Sequence, residues 1–269
     1  MSKKRILFVT QEMKPYTTLS EISEIVRRLP TYMHEQGMEI RILMPRFGTI
    51  NERRHRLHEV VRLSGMNIIV DDDDYPLIIK VASLPGARLQ VYFLDNDEFF
   101  RRKHLFTDGS GSPFEDNLDR MVFFSKGVLE TIKKFGWPPD IIHCHGWMTS
   151  LVPLYLKTAY KNEPLFAHTK VIYSVYDPGL IPPNLSEHFR EKAAINNLET
   201  SLLDAYSPDN GLHLDSGAVN YADAVIQGSE TIDQSVTTQL TDSEKPVLQH
   251  SNEDAYLGEY LKFYKQLLS

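Results

Sequence analysis

Short apolar runs alternate along this chain with segments of helical periodicity, and this alternation restricts the possible folds more than any other feature. Each apolar run is followed by a turn or helix signal, as crossovers between parallel strands require. The pattern predicts an α/β fold in which helices flank a Rossmann-like parallel sheet. The predicted strands of this sheet cover residues 5–10, 39–44, 140–144, 170–175 and 224–227.

Further apolar segments at 60–70, 77–84 and 88–94 are separated by turns and predict a small antiparallel insertion over residues 59–95. The run Asp71-Asp72-Asp73-Asp74 inside it is either a calcium loop or a hairpin tip. A calcium loop also needs a bend-forming glycine and a closing glutamate, so the sequence favours a solvated hairpin tip.

Helical periodicity predicts helices over residues 19–36, 114–135, 148–160, 187–196, 229–240 and 254–268. Pro30 is expected to bend or end the first of them. The last carries aromatic and leucine side chains at helical spacing, so one of its faces must be buried. The simplest organisation is one domain over 1–240, followed by a linker and a C-terminal helix over 241–269 that packs on it.

Composition and charge exclude several classes of partner. The chain has 269 residues and a formal net charge of −7, and no Lys/Arg run is longer than Lys3-Lys4-Arg5. Nucleic acids and anionic membranes both need a concentrated basic patch, so neither is an expected partner. No stretch approaches the roughly twenty apolar residues of a membrane span, and residues 6–9 are too short for the core of a signal peptide. The single cysteine, Cys144, is expected to be a buried, reduced thiol in a cytoplasmic protein.

The segment 11–30 links the first strand to the first helix, where nucleotide-binding α/β folds hold phosphate. It resembles, without a gap, the opening Ser-Glu-x-x-Pro-x-x-Lys-Thr-Gly-Gly-Leu-x-Asp-Val-x-x-x-Leu-Pro of the bacterial glycogen synthases and plant starch synthases. The family's lysine falls on Thr18, and its two glycines fall on Ser20 and Glu21. Glu21 is expected to aim a carboxylate at the place of the pyrophosphate. The resemblance therefore implies a kept scaffold and a lost phosphate site.

The resemblance extends in family order to about residue 240. It is carried by Gly37-Met38-Glu39-Ile40-Arg41-Ile42-Leu43-Met44-Pro45, by Asp116-Asn117-Leu118-Asp119-Arg120-Met121, by His143-Cys144-His145-Gly146-Trp147-Met148 and by Tyr221-Ala222-Asp223. Where the family has an aspartate beside the sugars, this chain has Gly146, and a following histidine is Met148. Tyr176 replaces the family histidine that contacts the transferred sugar. The resemblance thus implies that the polar residues of this half of the active site are gone.

In the family, a second Rossmann domain supplies most of the nucleotide pocket, and closure of the two domains positions both sugars. The given sequence stops where that second domain is expected to begin. One hypothesis is a non-catalytic relative, without cofactor, that binds a protein partner or a glycan and regulates storage-polysaccharide synthesis. Another is the N-terminal half of a split glucosyltransferase, which moves glucose from ADP-glucose or UDP-glucose to a glucan and is completed by a partner chain. A third is a binder of another small ligand. The sequence does not indicate an oligomeric state.

Several polar residues have two interpretations. Asp116, Asn117 and Arg120 either line a glycan site, together with His145 and Trp147, or form a helix cap and a surface charge pair.

Other clusters favour structural roles. His143 and His145 are expected to point to opposite faces of a strand, so no metal site is predicted. The cluster Phe99, Phe100 and Phe106 either stacks a glucose ring or packs the inserted strands, and packing is favoured. A cysteine hydrolase would need a sharp strand-to-helix turn at its nucleophile, which the apolar run around Cys144 does not predict. Residues 177–183 are expected to form a rigid turn and loop.

Overall fold

A computed structural model describes residues 3–177, 179, 185, 188–209, 211–252 and 255–269. The strands are β1 (Arg5–Thr10), β2 (Glu39–Pro45), β3 (His58–Glu59), β4 (Met66–Val70), β5 (Asp73–Ser83), β6 (Gln90–Asp95), β7 (Ile141–His145), β8 (Lys170–Val175), β9 (Ala224–Gln227) and β10 (Val247–Leu248). They lie in the order β10-β9-β8-β7-β1-β2-β6-β5-β3, with β4 paired to β5. Neighbouring strands from β10 to β6 are parallel, which confirms the predicted α/β fold with a parallel sheet.

The central strand β1 is buried on both faces, and Ile6, Leu7, Phe8 and Val9 have no exposed surface. A parallel strand covered by helices on both sides reads as a continuous apolar run, which is why the sequence located it. The helices are α1 (Ile22–Glu35), α2 (Glu52–His55), α3 (Asp97–Phe100), α4 (Asn117–Phe135), α5 (Leu151–Lys157), α6 (Phe189–Ala193), α7 (Leu214–Tyr221), α8 (Gln234–Thr241) and α9 (Tyr256–Leu267).

Helix α1 continues through Pro30 to Glu35, so of the two expected effects of this proline, bending or ending the helix, the second does not occur. Pro30 is buried on the same face as Val26, Leu29 and Met33. The apolar packing of this face offsets the one backbone hydrogen bond that a proline removes from a helix.

The crossovers place the helices in two layers. The connection from β1 through α1 to β2 runs along the sheet in one direction, and those through α5 and α7 run in the other. Right-handed crossovers of opposite direction lie on opposite faces. Accordingly, α4, α5, α7 and α8 contact one another in sequence, and α1 contacts α9. Helix α9 buries Tyr256, Tyr260, Leu261, Phe263 and Tyr264.

Residues 59–95 were expected to form an antiparallel insertion, and one of their strands, β6, departs from this expectation. β6 pairs antiparallel with β5 but parallel with β2, so it extends the main sheet. Because β2 and β6 are both buried apolar strands, their pairing direction could not be read from composition. The hairpin from β4 to β5 turns at Asp71 and Asp72, which are exposed, as expected for a solvated tip.

Some expected elements fall partly outside the described residues, namely the starts of the helices predicted at 187 and 254 and most of the loop predicted at 177–183. Within the part of the chain that the structure describes, no helix is long and apolar enough to cross a membrane.

Candidate functional site

The carboxyl ends of β1, β7, β8 and β9 meet at one edge of the sheet, where ligands of open α/β sheets bind. The loop after β1 brings Thr18, Ser20 and Glu21 to this edge, while Gly146 and Tyr176 directly follow β7 and β8. Thr18 and Glu21 are exposed and Ser20 is half-buried. We refer to this edge as the crevice.

In the loop before α1, the buried carboxylate of Glu12 accepts hydrogen bonds from backbone N–H groups. The N–H groups of Leu19 and Ser20 donate to Glu12 Oε2 at 2.6 and 2.9 Å, and the Ser20 hydroxyl donates to Oε1. Burial raises the pKa of Glu12, and these hydrogen bonds act in the opposite direction. These two N–H groups thus already have an anionic partner within the protein.

Glu21 turns towards the end of β9, where its carboxylate accepts a hydrogen bond from the Ser229 hydroxyl. It also lines a cavity of about 320 Å³ between α1 and α9. A negative charge held at this position repels a pyrophosphate.

Gly146 has φ +87° and ψ 160°, a backbone conformation that only glycine adopts readily. A Cβ atom here would lie 2.4 Å from the Cδ atom of Gln11. The Gln11 side chain is buried, and its Oε1 accepts a hydrogen bond from the Met148 N–H at 3.3 Å. The space of the family's aspartate is therefore filled by a glutamine from the neighbouring strand end.

His143 and His145 lie on the same face of β7, with ring centroids 3.9 Å apart, so the expectation of opposite faces is wrong. Side chains alternate along a strand, and residues two positions apart share a face. His143 Nε2 is 2.7 Å from Ser174 Oγ, and its Nδ1 is hydrogen-bonded to the hydroxyl of Tyr264 on α9. His145 Nδ1 is 2.7 Å from the Tyr176 hydroxyl.

Burial lowers the pKa of both imidazoles, that of His145 to about 3, so they are neutral at physiological pH. Among the described residues, no group of three or more His, Cys, Asp or Glu side chains is placed to hold a metal ion. Cys144 is buried and unpaired, and burial raises the pKa of its thiol. A buried, protonated thiol does not act as a nucleophile.

Tyr176 closes the crevice from the side of β8. Its ring packs so tightly on Gly228 that a Cβ atom there would lie 2.4 Å from Tyr176 Cε1. The cavity that remains beside Tyr176 measures about 20 Å³ and is lined by Gln11, Ile22, Gly146, Trp147, Tyr173, Ser174, Tyr176, Asp177 and Asp215. This volume holds about one water molecule, whereas small-molecule sites usually measure about 300–1,000 Å³.

At the start of α4, the structure supports neither interpretation of the polar cluster in full. Asp116 makes no capping hydrogen bond and instead forms an ion pair with Arg102. Arg120 is fully buried, so it forms no surface charge pair, and its Nη1 donates to Asn117 Oδ1 at 2.8 Å. Burial lowers its pKa to about 10.

Aromatic rings surround this arginine. The Arg120 guanidinium lies 5.4–5.8 Å from the ring centroids of Phe47, Phe100, Phe106 and Phe114. Trp147 is buried and packs on Phe106 with ring centroids 4.9 Å apart. Phe99 and Phe100 are also buried, which agrees with the favoured packing role of the phenylalanine cluster.

The residues that sequence reasoning missed are those that fill the crevice, namely Gln11, Glu12, Gly228, Ser229 and Tyr264. Glu12 matches the family block and therefore gave no signal of difference. The contacts of the others join segments far apart in the chain, which one sequence does not reveal.

The chain matches the family model of the starch synthase catalytic domain over residues 5–250. It is 41% identical over 182 residues to the glycogen synthase of Chlorobium limicola, a match that covers 66% of this chain and 37% of that protein. It is 37% identical over 231 residues to the glycogen synthase of Chlorobaculum tepidum, covering 84% of this chain and 46% of that protein. The chain thus spans less than half the length of these curated relatives.

Among solved structures, the catalytic domain of starch synthase IV from Arabidopsis thaliana, bound to ADP and acarbose, superposes with a TM-score of 0.78. The match covers 93% of this chain and 52% of that structure at 19% sequence identity. This likeness shows a common fold.

Proposed function

Because the chain belongs to the starch synthase catalytic domain family, which includes bacterial glycogen synthases, we propose that it serves storage-polysaccharide metabolism without transferring glucose by itself. Its role is to bind a protein partner or a glycan and thereby regulate synthesis. The observation that carries this proposal is that Gln11 and Tyr176 fill the part of the crevice at the ends of β7 and β8, where only about 20 Å³ remains beside Gly146.

Charge and hydrogen bonding support the same proposal. A pyrophosphate is held by several charge-assisted hydrogen bonds, each of which contributes roughly 1.5–3 kcal/mol. In this loop, Thr18 carries no charge and Glu21 carries the wrong one. A donor nucleotide would therefore lose attraction and meet repulsion.

Transfer of radiolabelled glucose to glycogen tests the catalytic half of the proposal. The purified chain is supplied with ADP-glucose or UDP-glucose, and the glycogen synthase of Chlorobaculum tepidum serves as the positive control. We expect no incorporation above a protein-free blank. Incorporation by the purified chain alone would contradict the proposal.

Two binding measurements test the regulatory half. Affinity electrophoresis through a gel that contains glycogen reports glycan binding as retarded migration, and bovine serum albumin provides the unretarded control. Affinity capture from the source cell, followed by mass spectrometry, identifies protein partners. Retardation, or capture of an enzyme of polysaccharide metabolism, supports the proposal. The absence of both contradicts it.

If a protein captured in this way is added to the purified chain and glucose transfer begins, the chain is instead the N-terminal half of a split glucosyltransferase.

A further inference from the structure

A cavity of about 480 Å³ lies at the opposite edge of the sheet from the crevice, where β2 and β6 begin. It is lined by the connection from α1 to β2, by the first residues of both strands and by the turn between β5 and β6. β2 has seven residues and a strand rises about 3.3 Å per residue, so roughly 20 Å separates this cavity from the crevice. We refer to it as the amino-edge cavity.

Arg41 of β2 lines this cavity in a preorganised position. Its guanidinium lies 4.2 Å from the ring centroid of Phe135 and 4.6 Å from that of Trp137. Stacking fixes the plane of the guanidinium. The Arg41 Nη1 atom is buried and has no hydrogen-bond partner among the residues that the structure describes. A fixed guanidinium fork loses less conformational entropy when it binds an anion than a mobile one does.

Two further cations, Arg88 and Lys3, line the amino-edge cavity and are exposed. Neither forms an ion pair within the described part of the chain. Glu39 is the carboxylate among the lining residues, and it already binds Arg5 at 3.3 Å and the Trp137 Nε1–H at 2.6 Å. The cavity therefore keeps uncompensated positive charge in a protein whose formal net charge is −7.

The partial negative charges at nearby helix C-termini neutralise only part of this positive charge. Helix α1 ends near His34, which lines the cavity, and α4 ends at Phe135, on which Arg41 stacks. Each helix C-terminus carries the equivalent of about half a negative charge, so the two together offset about one cation. Lys3, Arg41 and Arg88 leave a surplus.

We propose that the amino-edge cavity binds a small phosphate monoester, independently of the function proposed for the crevice. Arg41 and Arg88 bind the phosphate, and the organic part packs on Tyr92 and Leu89, which also line the cavity. Several converging cations favour a dianion over a monocarboxylate, and the arginine fork matches phosphate oxygens in a bidentate manner. The volume lies within the usual range for metabolite sites.

Isothermal titration calorimetry at low ionic strength tests this site. Glucose 1-phosphate is the probe, and glucose is the matched control ligand that lacks the phosphate. We expect saturable binding of glucose 1-phosphate and none of glucose. Arg88→Ala and Arg41→Gln should each weaken binding at least tenfold. Arg88 lies exposed on a turn, so its removal leaves the packing unchanged, and circular dichroism checks the fold of Arg41→Gln.

Arg53→Ala is the matched control, because Arg53 is exposed on α2 beyond the other end of β2. It should bind the probe as the wild type does. The proposal is overturned if the wild type shows no saturable binding up to millimolar probe, if glucose binds equally well, or if Arg53→Ala weakens binding as much as Arg88→Ala.

Discussion

At the scale of single residues, the crevice contains side chains that bind one another at the edge where open α/β sheets bind ligands. Glu12 holds two backbone N–H groups of the loop before α1, and Gln11 fills the space beside Gly146. Each of these side chains is buried, so displacing either would expose unsatisfied polar groups. Of the two residues, Gln11 departs from the family block and Glu12 matches it, so the change at this edge comes from Gln11 together with Thr18, Ser20 and Glu21.

Introducing the family's aspartate as Gly146→Asp should lower the free energy of unfolding. The backbone conformation of Gly146 alone costs a residue with a side chain about 1–3 kcal/mol, and the collision with Gln11 adds to this cost. Chemical denaturation measures the change. Gln11→Ala in the same background should recover part of the loss, because it removes the collision.

Gly37→Asp separates the two causes, since Gly37 also has a positive φ, +89°, but no atom lies within 4 Å of a Cβ placed there. It should destabilise the protein less than Gly146→Asp. Equal effects of the two variants would show that Gln11 does not restrict the site.

Asp215 should make stability depend on pH. Burial raises its pKa from 3.8 to about 6, so between these values the folded protein holds a proton that the unfolded chain has released. The free energy of unfolding should therefore fall as the pH rises from about 4 to 6, by roughly 3 kcal/mol from this group. Denaturant titrations across this range measure the slope.

Asp215→Asn keeps an acceptor for the Tyr173 hydroxyl, which donates to Asp215 Oδ1 at 2.6 Å, but removes the charge. The variant should lose this part of the slope and be more stable than the wild type above pH 6. Asp72→Asn, on the exposed tip of the hairpin, should retain the slope. An unchanged slope in Asp215→Asn would refute the assignment.

The sequence predicted the positions of site residues at strand ends, but it did not predict the contacts between segments far apart in the chain. Residues that directly follow strands, such as Gly146 and Tyr176, could be placed at one edge, because parallel strands end together. The side chains that fill this edge could not be identified, since the hydrogen bond from Ser229 to Glu21 spans most of the chain. The histidine pair was misplaced because alternation along a strand was applied to residues two positions apart.

At the scale of elements, α9 is joined to the sheet by both apolar burial and a polar contact. Its buried residues lie at helical spacing, and the Tyr264 hydroxyl binds His143 of β7. The periodicity of the sequence predicted the apolar face. The contact with His143 could not be predicted, because it joins positions 121 residues apart.

Tyr264→Phe should destabilise the protein by about 1–3 kcal/mol, because Nδ1 of the buried, neutral His143 loses its partner. For a chain of this size, such a loss lowers the melting temperature by a few degrees. Lys262→Ala, an exposed position of the same helix, is the control and should melt as the wild type does. Equal melting of both variants would show that the hydroxyl contributes nothing.

Removing the residues after Asn252 should lower the melting temperature by several degrees or more and promote aggregation. Burial of each large apolar side chain contributes about 1.5–3 kcal/mol, and the truncation exposes the apolar surface that α9 covers on α1. Thermal melts followed by circular dichroism compare the two chains. An unchanged melting curve would assign the apolar face of α9 to a partner interface.

At the scale of the whole molecule, the two ends of the parallel sheet differ. At the carboxyl edge, where open α/β sheets bind ligands, Gln11 and Tyr176 fill the space beside Gly146 and leave about 20 Å³, while a cavity of about 320 Å³ remains beside Glu21 between α1 and α9. The amino edge has a cavity of about 480 Å³ lined by Lys3, Arg41 and Arg88, which form no ion pair among the residues that the structure describes. The sequence predicted the sheet and its helices because buried apolar runs fix them, whereas the shape of both edges depends on side-chain packing between distant segments.

Calorimetric titration of the purified chain with ADP-glucose tests most directly the proposal that the crevice does not hold a nucleotide sugar. We predict no saturable binding below millimolar concentration, both for the wild type and for the triple variant Thr18→Lys, Ser20→Gly, Glu21→Gly. The triple variant restores the family's loop but leaves Gln11, Gly146 and Tyr176 in place. Saturable micromolar binding of ADP-glucose by the wild-type chain would contradict the account.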